Sequence, residues 1–216
     1  MLSDFLSRNH TDCSVKEFEV HNVSSGVIKP FIINNHYSHS CHITGCPVSF
    51  SLMHENEMIG TMVYGYTAMV NQWKAFTEYG VEQESDMLEL RRLVCIDDTP
   101  RNTESYFIGK TLKWLKRYTD YKIIVSYADP HHGHAGTIYK ASDFKHVGMS
   151  APGKIIDFQG RRYHDKSIRD YNRAHCKKTG EKIPATIALK LQKALESGDA
   201  QMVPTPGKHI YVYNLR

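Results

Sequence analysis

The stretch SYADPHHGHAGTIYKASDF, residues 126–144, concentrates side chains that could do chemistry directly after a run of apolar residues. Its aspartate, Asp129, could hold an amino group, bind a metal or serve as a general base. Three histidines within residues 131–134 could move protons near neutral pH, and Tyr139 follows on a predicted short helix. The alternatives are a turn-capping aspartate, histidines that face water beside turn glycines, and a packed aromatic ring. We predict that Asp129 and Tyr139 are catalytic residues, with Ile138 facing the core and Tyr139 facing a cleft.

A second set of candidate ligands lies in NNHYSHS, residues 34–40. The His36 imidazole, the Tyr37 phenol and the Asp129 carboxylate could together bind a redox metal such as iron. The alternative is a polar loop that binds nothing. The two cysteines that follow, in SCHITGC, lack the paired CxxC spacing of structural zinc sites. A structural zinc site is therefore not favoured, and iron binding by His36, Tyr37 and Asp129 is a hypothesis.

Two further candidates lie on predicted regular elements. Arg92 alternates with two leucines along a predicted strand, so its guanidinium falls on a face that should be buried and needs an anionic partner. That partner is either an anionic group of a donor molecule or a carboxylate of the protein, and Arg91 replaces Arg92 if the alternation shifts by one residue. Ser105 falls in the first turn of a predicted helix, where its hydroxyl either helps to bind an anion or caps the helix.

The positive charge of the chain is concentrated in one segment. The chain carries 27 Lys or Arg and 23 Asp or Glu, a net charge of +4, but residues 160–193 hold ten basic and three acidic residues, which is +7 and leaves −3 elsewhere. Two tyrosines are interleaved with these basic residues. A nucleic-acid backbone attracts such a segment by counterion release, whereas the alternative is a solvated surface. We predict backbone contacts from Arg161, Arg162, Lys177 and Lys178.

Length and composition predict one cytoplasmic domain. A chain of 216 residues, 41% hydrophobic and 23% charged, suits a single globular domain over residues 1–216 better than two domains. Its apolar runs are all far shorter than the roughly 20 residues that a bilayer requires, and its first residues are too polar for a signal peptide. The five cysteines are odd in number and scattered, which favours a reducing compartment.

Periodicity places the candidate residues on a mixed α/β framework. Residues 47–70 alternate as two strands around a polar turn, which predicts an antiparallel hairpin, and residues 87–97 predict a third strand. A helix is predicted over residues 103–118, followed by a buried strand, a short helix over residues 135–143 and another strand. A basic helical insertion over residues 160–200 and a last strand, GKHIYVYNL, follow.

This order of elements resembles the GNAT acyltransferase fold, which has a mixed central sheet, an antiparallel N-terminal half, flanking helices and two central strands that splay apart. Several segments also look like the Mom family of bacteriophage DNA-modification proteins. The segments that carry this resemblance are NNHYSHS, LELRRL, RNTESYFIGKTLKWL, SYADP followed by GHAGTIYKAS, and GKHIYVYNL.

The resemblance implies an enzyme that binds double-stranded DNA, flips an adenine out of the duplex and converts its N6 amino group to a carbamoylmethylated form. Such a modification protects phage DNA from host restriction. The resemblance also implies substrate-facing positions for His36 and Tyr37 and a general-acid role for Tyr139. One alternative is a CoA-dependent N-acyltransferase that acts on a small amine or a protein lysine. Another is a DNA-binding module without activity.

The turn before the predicted long helix departs from the pattern of ordinary acetyltransferases. Those enzymes place a glycine-rich RxxGxG turn there, whose backbone N–H groups bind the pyrophosphate of coenzyme A. Here the turn reads DDTPRNTES, with no glycine and with two aspartates that would repel phosphate. Mom-like proteins share this lack. The sequence therefore argues against acetyl-CoA and does not identify the donor of the transferred group. A homodimer is possible, but the sequence does not determine the oligomeric state.

Overall fold

The computed structural model describes residues 10–36, 45–67, 71–165, 168 and 186–216. These residues pack into two compact units. The first unit takes its described residues from 1–128, 135–148 and 209–216, and the second takes them from 129–134 and 149–208. Whether the two units fold as the one domain expected from the sequence stays a prediction.

The described residues form ten strands and four α-helices. The strands are β1 (Glu19–Asn22), β2 (Val48–His54), β3 (Glu57–Gly65), β4 (Met87–Cys95), β5 (Ile123–Ala128), β6 (Lys145–Met149), β7 (Gly153–Phe158), β8 (Arg161–His164), β9 (Ala200–Thr205) and β10 (His209–Asn214). The helices are α1 (Ser25–Asn35), α2 (Thr103–Tyr118), α3 (Thr137–Lys140) and α4 (Thr186–Ser197). A 3-10 turn over Pro130–His132 follows β5.

The first unit is built on a mixed sheet. Within the described residues, seven strands take the order β1-β2-β3-β4-β5-β10-β6. β1 to β4 pair antiparallel in sequence, β4 and β5 pair parallel, and β10 returns antiparallel beside β5. The β2–β3 turn puts Glu55 and Asn56 at φ values of 48° and 69°, as two-residue hairpin turns favour. The mixed sheet with an antiparallel N-terminal half is confirmed.

The core of the first unit explains why its main elements could be predicted. α2 buries Ile108, Leu112 and Leu115, an i, i+4, i+7 stripe that packs on one face of the sheet. In β5, Ile124 packs in this cluster whereas Ile123 packs in a second cluster, so the strand is covered on both faces. A strand covered on both faces lacks alternation, which is why the run KIIV predicts it.

The second unit is built on a smaller sheet. Within the described residues, its strands take the order β8-β7-β9, all antiparallel, and α4 packs on it through Leu191 and Ala194 against Ile156 and Phe158. The sequence predicts a helical insertion over 160–200. Within the described part, Ile168 and Thr186–Ser197 are helical, but β8 and β9 are strands. These strands are short and their polar residues break the alternation, so their periodicity is weak.

Other elements also differ from the sequence-based prediction, and the strand β7 is among those not predicted. The strand β1 and the helix α1 are not predicted. The helix contains Pro30 and buries only Ile28 and Ile32, so its apolar residues do not form the regular stripe by which a helix is recognised in a sequence. The helix predicted over residues 135–143 is shorter, Thr137–Lys140. Gly136 precedes it with a φ of 70°, a left-handed value that a helix cannot include.

Candidate active site

The first unit opens between its two central strands. Residues Met87–Glu89 pair with Ile123–Val125, and within the described strands this parallel ladder stops there. Beyond it, the Ser126 hydroxyl donates to the Leu90 carbonyl, with 3.4 Å between the oxygens. The strands therefore separate after Glu89 and Val125, which confirms the predicted splay.

A bulge at Arg91 changes the face on which Arg92 lies. β3 places Tyr64 opposite Leu90 and Val63 opposite Arg92, so Arg91 is an extra residue in β4. Directly opposed residues share a face of a sheet, and Val63 packs with α1 in a cluster separate from that of Tyr64 and Leu90. The prediction that Arg92 shares a face with the two leucines is therefore wrong, because alternation resets at the bulge.

Both arginines of this bulge are half-buried and hydrogen-bonded. The Arg92 Nη1 donates to the Arg91 carbonyl at 2.7 Å. The Arg91 guanidinium donates to the Tyr66 carbonyl, and its Nη1 lies 3.5 Å from Cys46 Sγ. Gly65 makes room for it, since a Cβ there would lie 2.7 Å from Arg91 Nε. Anion binding by Arg92, or by Arg91 in its place, stays a prediction.

Tyr139 lies in an aromatic layer of the first unit. Its ring packs between Phe144 and Tyr211, with centroid distances of 5.6 and 5.4 Å. Gly136 permits this packing, because a Cβ at that position would lie 2.2 Å from the Tyr211 ring. Ile138 faces the core as predicted, but Tyr139 also packs against the same core cluster and so does not face only a cleft. Packing fixes the position of the half-buried Tyr139 ring.

A buried tyrosine near Tyr139 is not predicted from the sequence. Tyr64 is fully buried, and its hydroxyl lies 2.7 Å from Thr111 Oγ1 on α2. Burial raises the pKa of Tyr64, the hydrogen bond with Thr111 acts against this, and the Tyr139 phenol adds to the rise. Tyr64 is therefore a neutral phenol near the candidate catalytic tyrosine. Its only signal in the sequence is a tyrosine within an apolar strand.

His36 and Ser105 also belong to the first unit. His36 directly follows α1, is 7% exposed, and donates its backbone N–H to the Ile32 carbonyl at 2.9 Å. The Ser105 hydroxyl donates to the Asn102 carbonyl at 3.0 Å, which is not a capping bond, because a cap accepts a backbone N–H. Tyr37, the neighbour of His36, lies outside the described residues. The catalytic roles of these residues stay predictions.

Asp129 belongs to the second unit, and both of its carboxylate oxygens are engaged. Oδ1 accepts the His131 backbone N–H at 3.0 Å and so caps the turn Pro130–His132. Oδ2 lies 3.1 Å from the Nζ of Lys208. The turn-capping alternative is therefore present, and the side chain is 19% exposed. The catalytic role of Asp129 stays a prediction.

The two arginines predicted to contact DNA are exposed on β8. Arg161 pairs with Phe158, which packs with α4, whereas Arg162 pairs with Asp157 on the opposite face of the sheet. Arg162 Nη1 lies 2.8 Å from His131 Nε2, so the guanidinium donates and this ring nitrogen accepts. Lys177 and Lys178 lie outside the described residues.

α4 adds two lysines to the exposed basic groups of the second unit. Lys190 and Lys193 line an open groove of about 600 Å³ together with Gln159, Ser197 and the acidic Asp199. The Lys190 ammonium lies 5.5 Å from the centroid of the Phe158 ring, which helps to hold it at the surface. The groove thus presents two cations that could contact a phosphate backbone.

The residues before α2 do not fit the pyrophosphate of coenzyme A. Asp97 and Asp98 are exposed in this turn, and their carboxylates repel an anion. The Thr103 hydroxyl donates to the Pro100 carbonyl at 2.7 Å and so is directed into the turn. The sequence-based argument against acetyl-CoA stays a prediction.

The iron hypothesis gains no geometric support. Among the residues that the structure describes, no group of three or more His, Cys, Asp or Glu side chains is placed to hold a metal ion. His36 and Asp129 belong to different units, and Tyr37 is not described. Iron binding by these three residues stays a prediction.

The splayed parallel pair within a mixed sheet defines the class of protein. Arabidopsis thaliana NAA60, solved in complex with acetyl-CoA, aligns with a TM-score of 0.52 and 10% identity over 91% of this chain and 98% of that chain. A GNAT family acetyltransferase from Elizabethkingia anophelis, solved with acetyl-CoA bound, aligns with a TM-score of 0.49 and 10% identity over 92% of this chain and 98% of that chain. The alignment with NAA60 shows that the chain has a GNAT-type fold.

Within this class, the chain belongs to the Mom protein family, whose family model matches residues 17–216. Methylcarbamoylase mom of Escherichia phage Mu is 28% identical to it over 162 residues, which cover 73% of this chain and 64% of that protein. The chain thus matches less than two-thirds of the length of this relative. The resemblance found in the motifs is confirmed.

Proposed function

We propose that this protein converts the N6 amino group of adenine in duplex DNA to a carbamoylmethylated form, which protects phage DNA from host restriction. Membership of the Mom family over residues 17–216 is the observation that carries this proposal. The relative from phage Mu supports it, because it is named a methylcarbamoylase. The protein would act in the host cytoplasm, where phage DNA is exposed to restriction enzymes. In the described part of the chain, none of the helices is long and apolar enough to cross a membrane.

The reaction requires a proton acceptor and a proton donor. N6 is paired inside the duplex, so the adenine must be flipped out of the stack before it reacts. A new bond at N6 requires the loss of one N6 proton, and we assign its acceptance to the Asp129 carboxylate, which stays partly exposed despite its two contacts. We assign the donation of a proton to the departing group to Tyr139, whose ring is fixed by aromatic packing.

The DNA backbone is the proposed partner of the basic residues in the second unit. Arg161 and Arg162 are exposed on β8, and Lys190 and Lys193 line the groove on α4. Each cation that neutralises a phosphate releases a counterion, which favours binding at low salt. The remainder of the chain outside 160–193 is net negative and contributes repulsion.

The identity of the donor separates this proposal from an ordinary acetyltransferase. The turn before α2 presents Asp97 and Asp98, so a CoA-dependent N-acyltransferase is the weaker alternative. We leave the donor open. Iron would supply redox chemistry if His36, Tyr37 and Asp129 hold it, and metal analysis of anaerobically purified protein, compared with His36→Ala, tests that.

Nucleoside analysis of plasmid DNA tests the proposal directly. The protein is co-expressed with a plasmid, the DNA is digested, and modified deoxyadenosine is measured by mass spectrometry. We expect a carbamoylmethylated product, reduced about 100-fold or more by Asp129→Asn and strongly by Tyr139→Phe. Asp120→Asn and Tyr118→Phe are matched controls, because both side chains are exposed, and they should change little.

Two outcomes contradict the proposal. Unmodified deoxyadenosine in the presence of abundant soluble protein excludes the reaction. Acetylated amines in the cell without any change in the DNA favour the CoA-dependent alternative.

A further inference from the structure

The terminal motif GKHIYVYNL contributes a side chain to the surroundings of Asp129. Lys208 stands directly before β10, and its Nζ lies 3.1 Å from the Asp129 Oδ2. We propose that Lys208 is a positioning residue for Asp129, which orients the carboxylate during the modification of adenine. This inference rests on the function proposed above.

The backbone of Lys208 is itself held in place. Its N–H donates to the Ser150 Oγ at 2.9 Å, and its carbonyl accepts the Ser150 N–H at 2.8 Å. Gly207 allows this close approach, since a Cβ there would lie 1.9 Å from the Ser150 carbonyl oxygen. Only glycine therefore fits at position 207, and the backbone from which the Lys208 side chain extends is held in a fixed position. A long side chain with a fixed base reaches one target with less loss of entropy.

The ion pair does more for the carboxylate than for the stability of the fold. Lys208 is 52% exposed and Asp129 is 19% exposed. Partly exposed pairs contribute only about 0–1 kcal/mol to folding. Contacts at both oxygens, with His131 N–H and with Lys208, nevertheless fix the rotation of the carboxylate.

The chain provides a matched control in its other described Asp–Lys pair of the same length. Lys122 Nζ lies 3.1 Å from Asp86 Oδ2 in the first unit. Lys122→Met removes the same charge and leaves the same kind of side chain as Lys208→Met. If any loss of an Asp–Lys pair lowered modification through stability, both variants would do so.

The experiment measures modified deoxyadenosine in co-expressed plasmid DNA, per amount of soluble protein, together with the thermal unfolding of each variant. Lys208→Met should lower modification about tenfold or more, with little change in thermal unfolding. Lys208→Arg keeps the cation and should retain most of the activity. Lys122→Met should leave modification per folded protein within about twofold while it lowers thermal stability. A swapped pair, Asp129→Lys with Lys208→Asp, restores the attraction but not the proton acceptor, so it should stay inactive.

The outcomes separate this inference from the function on which it rests. Unmodified DNA with the wild-type protein overturns the proposed function and the role of Lys208 together. Modification by the wild type that persists in Lys208→Met overturns the role of Lys208 alone, as does recovery of modification in the swapped pair. If Lys208→Met yields no soluble protein, Lys208→Gln is measured in its place with the same expected loss.

Discussion

Two aspartate–lysine pairs of equal length mark the two ends of the same strand, and they differ in what surrounds them. Lys122 directly precedes β5 and pairs with Asp86, while Asp129 directly follows β5 and pairs with Lys208, both at 3.1 Å. Asp86 is 12% exposed, and Lys122 also donates from its Nζ to a backbone carbonyl at 2.8 Å. Lys208 is exposed over half of its side chain. The Asp86 pair is therefore the closed pair: its side chains are less exposed, at 12% and 32%, than those of the Asp129 pair, at 19% and 52%.

The closed pair is surrounded by additional donors. Asp86 accepts the Glu82 backbone N–H at 2.8 Å and the Gln83 side-chain amide at 3.3 Å, besides the Lys122 ammonium. The Glu82 N–H, more than any other group, lowers the pKa of Asp86, burial opposes this, and Lys122 and Gln83 lower it further. The Lys122 N–H also donates to the Asp86 carbonyl at 2.7 Å, which joins the starts of β4 and β5. This aspartate holds two strands together, and its oxygens are occupied in doing so.

The largest expected effect concerns the loop after β5, where two glycines look alike in sequence. Gly133 and Gly136 have φ values of 74° and 70°, but a Cβ at Gly136 meets the Tyr211 ring at 2.2 Å, whereas a Cβ at Gly133 has no atom within 4 Å in the described structure. Gly136→Ala should lower the free energy of unfolding by about 3 kcal/mol, from strain and overpacking together. Gly133→Ala should cost about 1 kcal/mol, from strain alone. Chemical denaturation of both variants measures the difference, and equal losses would contradict the packing argument.

The next effect concerns the closed pair and its dependence on pH. Asp86→Asn should lower the free energy of unfolding by about 2 kcal/mol near neutral pH, because hydrogen bonds to a charged group are lost. The pKa of Asp86 is lowered by folding, so its contribution is present above the unfolded pKa of about 3.9 and is lost as pH falls through the folded value. The gap between wild type and variant should therefore be full at pH 6 and shrink below about pH 4. A stability difference between wild type and Asp86→Asn that does not depend on pH would mean that the loss comes from packing. Modification of DNA per amount of folded Asp86→Asn protein should stay near the wild-type level.

The smallest expected effect separates two neighbouring arginines of the second unit. Arg161→Gln and Arg162→Gln should each weaken duplex binding by about 1 kcal/mol or less and reduce the log–log salt slope by about 0.9 if each contacts one phosphate. Arg162 also contacts His131, the residue whose N–H holds Asp129, so only Arg162→Gln should lower modification at saturating DNA. Titrations at several salt concentrations measure the slope. Unchanged salt slopes in both variants would mean that β8 does not contact DNA and is only a solubilising surface. The double variant Lys110→Gln with Lys113→Gln, on α2 in the first unit, is the control for the loss of positive charge outside β8.

The strongest sequence patterns determined the core of the first unit. The stripe of Ile108, Leu112 and Leu115 sets α2, and the polar turn between alternating runs sets the β2–β3 hairpin. Both elements are set by residues close together in the chain, so the spacing of apolar residues is enough to predict them. For the same reason, the motif SYADP predicts a carboxylate directly after a buried strand. The sequence alone also assigned the family, because its motifs are specific.

Only the tertiary structure decided the surroundings of those residues. Arg92 changed face because β3 leaves Arg91 unpaired in β4, and register is a property of two strands rather than of one. Lys208 reached Asp129 because Ser150 and Gly207 place it there, and Gly136 is required because the Tyr211 ring comes to lie against it. Each of these contacts joins residues far apart in the chain, so local propensity and periodicity carry no information about them. Their identity is fixed only when the strands are paired and the side chains are packed.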